Sequence, residues 1–314
     1  MNFKEKVFEI VKKIKPGQFL SYKEIAKKAK NEKAYRAVAN ILKNSPPNVP
    51  CHRVIRSNNL VGGYMGKEDW DWLKAALLLK EGAIGVIPTD TIYGICTSAF
   101  NRKSVEKVYK LRKRNPKKPC IILISSFDDL EKFNVSLNSW QRKILEKLWP
   151  GKISVILSPR IDTEKDTQIN ADKNTQIDAE TICVDPRNKY PRKSAYKNNI
   201  CVDPRDNNPR KSAYEYLHRG TNSLSFRLVK NKLILNILKI SGPLIAPSAN
   251  WEGYEPAKNI KEAKRYFGNK VFYLDRGNLI SKPSTLIDLR KKKIEILREG
   301  EEIKKVFEIL KHLQ

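Results

Sequence analysis

Cysteine, long apolar runs and acidic side chains are all in short supply here, and each shortage excludes something. The five cysteines, Cys51, Cys96, Cys120, Cys183 and Cys201, are odd in number, widely spaced and free of any CxxC pair. That pattern argues against a disulfide framework or a zinc site and fits a reducing cytoplasm, with no metal ligands expected. No stretch approaches the ~20 apolar residues of a membrane span. Lys4, Glu5 and Lys6 stand where a secretory leader would need an apolar core, so neither a leader nor a membrane partner is expected. Asp and Glu number 34 against 62 Lys and Arg, a formal charge of +28. Such an excess points to a polyanionic partner, nucleic acid first, although a genome that favours Lys codons would also produce it.

What is present suffices for two domains, since 314 residues with 40% hydrophobic content can bury a sizeable core. Phe3, Val7, Ile10, Val11 and Ile14 recur at helical spacing until Pro16-Gly17 stops them. Ser21-Tyr22-Lys23-Glu24 has the form of a capping box, in which hydroxyl and carboxylate each satisfy a free N–H at a helix start. A further apolar face runs from Ala34 to Leu42. Two short helices with a basic second member make a helix-turn-helix candidate. Residues 1–66 carry 14 Lys and Arg against 4 Glu, which favours a DNA or RNA face.

Pro50-Cys51-His52-Arg53-Val54-Ile55 is more specific. A thiolate is the nucleophilic form of cysteine, and a neighbouring imidazole can take its proton. With Asn59-Leu60-Val61-Gly62-Gly63-Tyr64, this string resembles the active-site segment of 6-O-alkylguanine-DNA alkyltransferases, over residues 1–82. The resemblance implies that Cys51 accepts an alkyl group irreversibly from a flipped guanine, with His52 as base and Glu81 orienting it. It also implies that Arg36 enters the base stack, that Tyr22 sits near the target phosphate, and that Asn44 and Tyr64 line the pocket. That family's usual N-terminal domain is not expected. Three readings stay open: an active alkyltransferase, a DNA- or RNA-binding relic with an idle thiol, and a structural cysteine.

Ala83 to Ile87 reads as a buried strand that meets Pro88-Thr89-Asp90-Thr91-Ile92-Tyr93-Gly94 at its end, where hydroxyls suit a ligand crevice. Downstream come Arg112-Lys113-Arg114 after a helix, Ile121 to Ile124, Trp149-Pro150-Gly151 before Ile153 to Leu157, and Leu224-Ser225-Phe226-Arg227. Ala246-Pro247-Ser248-Ala249-Asn250, Ser284-Thr285-Leu286-Ile287-Asp288 and Leu297-Arg298-Glu299-Gly300 complete the series. In this order they resemble the YrdC-like family of L-threonylcarbamoyladenylate synthases. The resemblance implies an α/β fold, a twisted mixed sheet with flanking helices, preceded by a small winged-helix-like, mainly helical domain. Boundaries are expected at 1–68 and 69–314, and Asp69 to Glu81 reads as one helix serving both.

The implied chemistry joins ATP, L-threonine and bicarbonate into threonylcarbamoyl-AMP and pyrophosphate. Mg²⁺ would arrive with the nucleotide, no tightly bound cofactor is expected, and the product would feed tRNA-modification machinery. Arg112 and Arg114 would act on the phosphates, with Ser248, Asn250 and Arg298 completing the ATP shell. Arg112 stands where that family usually has Lys, and a planar fork replaces a compact ammonium there. Thr89, Thr91, Tyr93, Ser225, Arg227 and Ser284 would hold threonine and bicarbonate. Two other functions remain in view: irreversible alkyl transfer from DNA to Cys51 as the main activity, or binding of double-stranded RNA or tRNA without catalysis.

Between about 159 and 214, Ile182-Cys183-Val184-Asp185-Pro186-Arg187 recurs as Ile200-Cys201-Val202-Asp203-Pro204-Arg205. Pro191 to Tyr196 recurs at Pro209 to Tyr214, at the same offset. Two copies are too few for a solenoid. A polar surface insertion with little structure of its own is expected.

Overall fold

The computed structural model describes residues 1–159 and 214–311. The duplicated stretch, with Cys183 and Cys201, lies outside the described residues apart from its last member, Tyr214.

The first 60 residues build their own small core. Helix α1 (Phe3–Lys12) starts at a capping box between Asn2 and Glu5 and buries Val7 and Val11. Helix α2 (Tyr22–Lys28) starts at the capping box anticipated at Ser21 and Glu24. Helix α3 (Tyr35–Lys43) buries Val38 and Leu42 and leaves its basic side in water. These side chains pack with Ile25, Val49, Cys51 and Val54. A short parallel pair, β1 (Leu20–Ser21) with β2 (Val54–Ile55), ties the chain before α2 to the segment after Cys51.

Helix α4 (Asp71–Lys80) serves both parts of the molecule. It packs on the Cys51–Arg53 turn at one side and on helix α8 (Lys232–Ser241) at another. Ala75, Ala76, Leu78 and Leu79 of α4 share a core with Ile55, Val61, Ile234 and Ile237.

The remainder is a mixed sheet. In chain order its strands are β3 (Gly85–Pro88), β4 (Tyr93–Ser98), β5 (Ile121–Ile124), β6 (Ile153–Leu157), β7 (Leu224–Leu228), β8 (Leu244–Ile245), β9 (Phe272–Tyr273), β10 (Thr285–Asp288) and β11 (Glu295–Arg298). Among the described residues the sheet runs β11-β10-β6-β7-β5-β8-β4-β3-β9. Three pairs are parallel (β5 with β7, β6 with β10, β3 with β9) and the other five antiparallel, three of them in succession from β5 through β8 and β4 to β3. Nearly every residue of β3 to β10 is buried, as expected for strands covered on both faces. Helices α5 (Arg102–Arg112), α6 (Ser139–Leu148), the short α7 (Glu215–His218) and α9 (Ile260–Phe267) cover one face around Val105, Val108, Ile144, Leu145, Leu217 and Phe267.

The first part of the chain also closes the sheet's edge at β9. Val61 N–H donates to the Tyr273 carbonyl at 3.0 Å, Tyr273 N–H donates to the Asn59 carbonyl at 2.9 Å, and Asn59 Nδ2 donates to the carbonyls of Asn269 and Val271. An open strand edge invites pairing with other chains. Residues 59–61 occupy this one.

Candidate functional site

Two strand ends, a helix C-terminus and a hairpin converge on one open cleft. Its walls carry Thr89, Thr91, Tyr93, Arg114, Arg227, Ser248, Ser284 and Arg298, so eight residues singled out in the sequence meet at one place. Ile92, Gly94, Ile121, Ala246, Pro247 and Pro283 fill the gaps between them.

The turn after β3 is shaped by its own hydroxyls. Thr89 Oγ1 donates to the Ile92 carbonyl at 2.6 Å and accepts from the Thr91 N–H at 3.2 Å. Arg227 projects from β7 beneath this turn, with Nη2 at 2.8 Å from Asp90 Oδ1 and Nη1 donating to Thr91 Oγ1 at 3.4 Å. Both members of this ion pair are almost wholly buried, at 4% and 5% side-chain exposure. Burial pushes the Asp90 carboxyl up against the opposing pull of Arg227, and burial likewise pushes the Arg227 guanidinium down. Asp90 was not among the sequence candidates. Its signal is a lone carboxylate between two threonines at a buried strand end, where only an ion pair makes burial tolerable.

On the opposite wall, Arg298 at the end of β11 donates through Nε and Nη2 to the Ser284 carbonyl at 3.0 and 2.8 Å, and through Nη2 to Ser284 Oγ at 3.1 Å. Ser284 Oγ also lies 2.8 Å from Ser154 Oγ. Arg114 donates to the carbonyls of Lys118 and Pro119. Burial pushes Arg298 down, and the charges of Arg227 and Arg114 push it further. Like charges facing one cavity raise one another's energy until an anion enters.

Not every sequence candidate lines the cleft. Arg112 and Asn250 lie behind its wall. Arg112 is 2% exposed and donates through Nε to the Asn250 carbonyl and through Nη2 to Ser248 Oγ and Asn250 Oδ1, each at 3.0 Å. Burial, and then the nearby Arg114, pushes it down to about 10. Arg112 lies on the buried face of α5, and Lys113 ends the helix in the left-handed region at φ 51°, so that Arg114 leaves in another direction. Ser225 is buried on β7, and its hydroxyl has no partner among the described residues.

The second grouping surrounds Cys51. The thiol is 7% exposed, with Met65 Sδ at 3.8 Å from its Sγ. His52 Nε2 donates to Glu81 Oε1 at 2.9 Å, and Arg53 grips the same carboxylate through Nε (2.9 Å) and Nη2 (2.7 Å). Burial works against the Glu81 charge, but the bonds from His52 and Arg53 outweigh it and hold the carboxyl down at about 2. Burial, then the neighbouring Cys51, pushes the phenols of Tyr22 and Tyr64 up. Arg36 and Asn44 are exposed, in the first turn and at the C-cap of α3, and Arg36 stacks 5.8 Å over Tyr35.

Lys74 was missed by sequence reasoning. It is 1% exposed, reaches the Gly63 carbonyl at 3.5 Å, lies over the Tyr22 ring, and burial pushes it down to about 8 against the pull of Cys51. A single Lys inside the apolar run Trp72-Leu73-Lys74-Ala75-Ala76-Leu77-Leu78-Leu79 was the available signal.

A mixed-sheet α/β domain with a guanidinium-lined cleft, carrying a small helical module with a buried cysteine at its edge, is the class of protein these features define. Residues 77–176 and 190–300 match the Sua5_yciO_yrdC family, described as "Telomere recombination". That match covers more than half of the chain, so the protein belongs to this family. Residues 2–83 match the family described as "6-O-methylguanine DNA methyltransferase, DNA binding domain". A threonylcarbamoyl-AMP synthase of Pyrococcus abyssi is 24% identical over 246 residues, covering 76% of this chain and 58% of the relative. The solved P. abyssi Sua5 complexed with L-threonine shares the fold at a TM-score of 0.55 and 23% identity, covering 76% of this chain and 58% of that one. Escherichia coli YciO shares it at 0.54 and 17% identity, with 76% and 94% covered. The chain thus spans under two thirds of the length of the P. abyssi relative. Among the described residues, no helix is long and apolar enough to cross a membrane.

Proposed function

We propose that the cleft makes threonylcarbamoyl-AMP from ATP, L-threonine and bicarbonate, with release of pyrophosphate, for use by tRNA-modification machinery. The observation that carries this reading is the set of three guanidinium groups, Arg114, Arg227 and Arg298, on one cleft that also presents the Thr89 and Thr91 hydroxyls. In the proposed reaction a carbamate oxygen of N-carboxythreonine attacks the α-phosphorus while the bond to the pyrophosphate oxygen breaks. Charge then builds on the departing oxygens, where fixed cations stabilise it most.

Arg114 and Arg298 are assigned to the phosphates, with Ser248 beside them. Arg112 and Asn250 brace that wall from behind. Thr89, Thr91, Tyr93 and Ser284 are assigned to threonine and bicarbonate. Arg227, already paired to Asp90, fixes the threonine-binding turn and offers its field to the carboxylate. No residue lining the cleft is a carboxylate, and no group of three His, Cys, Asp or Glu gathers among the described residues. The donor set therefore suits Mg²⁺ carried in on the triphosphate and not a protein-held ion. Incubation with ¹³C-bicarbonate, L-threonine and Mg²⁺-ATP is expected to yield a nucleotide product whose carbamate carbon carries the label. An unlabelled product, or none, rejects the reading.

A second activity has its own support in the Cys51, His52 and Glu81 arrangement. The Glu81 carboxylate orients His52, leaving the imidazole next to the thiol in sequence, with Tyr22, Tyr64 and Arg36 available to duplex DNA. Alkylated DNA is expected to add one alkyl mass to Cys51. An unmodified Cys51 would leave a module that binds DNA or RNA without group transfer.

A further inference from the structure

Arg276 follows β9 in a turn that no sequence motif singled out, and it is held from two sides. Its side chain forms a two-pronged pair with Asp71, the first residue of α4, through Nη1 to Oδ2 at 2.7 Å and Nη2 to Oδ1 at 2.6 Å. Its backbone N–H donates to Tyr93 Oη at 3.0 Å, and Tyr93 Oη in turn donates to the Gly277 carbonyl at 2.9 Å. The turn is closed by Gly277 N–H on Asp275 Oδ1 and by Arg276 Nη1 on the Asp275 carbonyl. Gly277 adopts φ 72°, open to glycine at little cost. Tyr93 is fully buried and lines the cleft.

The far end of α4 is equally fixed. Glu81, its C-cap, holds both His52 and Arg53 of the Cys51 turn. One ten-residue helix is therefore pinned at its last turn to the thiol site and at its first residue to the turn that bonds the Tyr93 hydroxyl.

We propose that Arg276 is a positioning residue for the cleft: clamped by Asp71, it holds the Tyr93 hydroxyl and sets the threonine-binding wall, so that substrate binding in the second module depends on a residue of the linking helix. A planar guanidinium on a carboxylate fixes both distance and plane, which a point charge would not. Tyr93 stands two residues after Thr91, so a loosened turn moves the wall assigned to threonine and leaves Arg114 and Arg298 in place. This inference rests on the proposed synthase reaction for its kinetic arm.

The test uses the full chain with Asp71→Ala, Arg276→Ala, Arg276→Lys, the double alanine variant and the reversed pair Asp71→Arg with Arg276→Asp. Each single alanine change is expected to raise KM for L-threonine about tenfold with kcat and KM for ATP within about twofold, because the lost interaction is one of substrate placement. The double variant should be no worse than either single, Arg276→Lys should recover part of the loss, and the reversed pair more of it. Hydrogen exchange supplies a second readout, since the Arg276 amide itself donates to Tyr93 Oη; in Asp71→Ala that amide should exchange about tenfold faster. Additive singles, or an unchanged KM for threonine together with unchanged exchange, overturns the proposal. Should the unaltered chain release no pyrophosphate with threonine, the synthase reading fails by itself. The exchange rate of the Arg276 amide then decides the clamp alone: unchanged exchange in Asp71→Ala refutes it.

Discussion

Replacing Arg114 by alanine separates the cleft's chemistry from its stability. Arg114 gives two of its N–H donors to the Lys118 and Pro119 carbonyls, so donors remain for a ligand. A charge-assisted hydrogen bond contributes about 1.5–3 kcal/mol, and removal of one donor to a developing oxyanion costs about 10²–10³ in rate. The expected loss in kcat/KM for ATP is therefore on the order of a hundredfold. Folding should respond differently. Arg114 repels both Arg298 and Arg112, and its removal relieves them while two partly solvated carbonyl bonds are lost. These effects oppose each other, so the melting temperature should move by only a few degrees. Arg114→Lys keeps the charge without the fork and should fall between the two. Continuous pyrophosphate release, read beside a thermal melt of the same sample, is the assay. Activity within about threefold of the unaltered chain would refute the reasoning, as would a loss of fold large enough to explain the defect.

Asp90→Asn should cost about 3–5 kcal/mol by denaturant titration, because it leaves Arg227 charged and buried; a cost under about 1 kcal/mol would show that the pair is not the strut described. Glu81 is held below its unfolded value, so its contribution is present above about 4.5 and lost as pH falls towards about 2. Stability of Glu81→Gln measured across that window should be correspondingly flatter, and an unchanged slope would contradict the His52 and Arg53 contacts. Lys74→Met removes a buried ammonium and should leave stability equal or higher, while slowing modification of Cys51 by a thiol reagent, mapped by peptide mass. Faster modification would remove Lys74 from the thiol's surroundings.

Much of this was legible in the chain because periodicity and capping are local. Ile121 to Ile124 and Ile153 to Leu157 form strands with those bounds, and Ser21 with Glu24 caps α2 as its spacing implied. The mixed sheet followed from ordered motifs. What sequence could not supply was direction. Arg112 and Arg114 look equivalent in a row of cations, but Arg112 ends the buried face of α5 against Ser248 and Asn250, and the left-handed Lys113 takes Arg114 off the helix. Asp90 was hidden between two hydroxyls, although Arg227 cannot be buried without it. Asp71 and Arg276 stand far apart in the chain, and the contact between them exists only because α4 and the β9 edge come together.

The most direct measurement is pyrophosphate release with each substrate withheld in turn. Release that requires L-threonine and bicarbonate together with Mg²⁺-ATP is the outcome the cleft's guanidinium and hydroxyl groups predict. Release indifferent to threonine, or none under any combination, would contradict it.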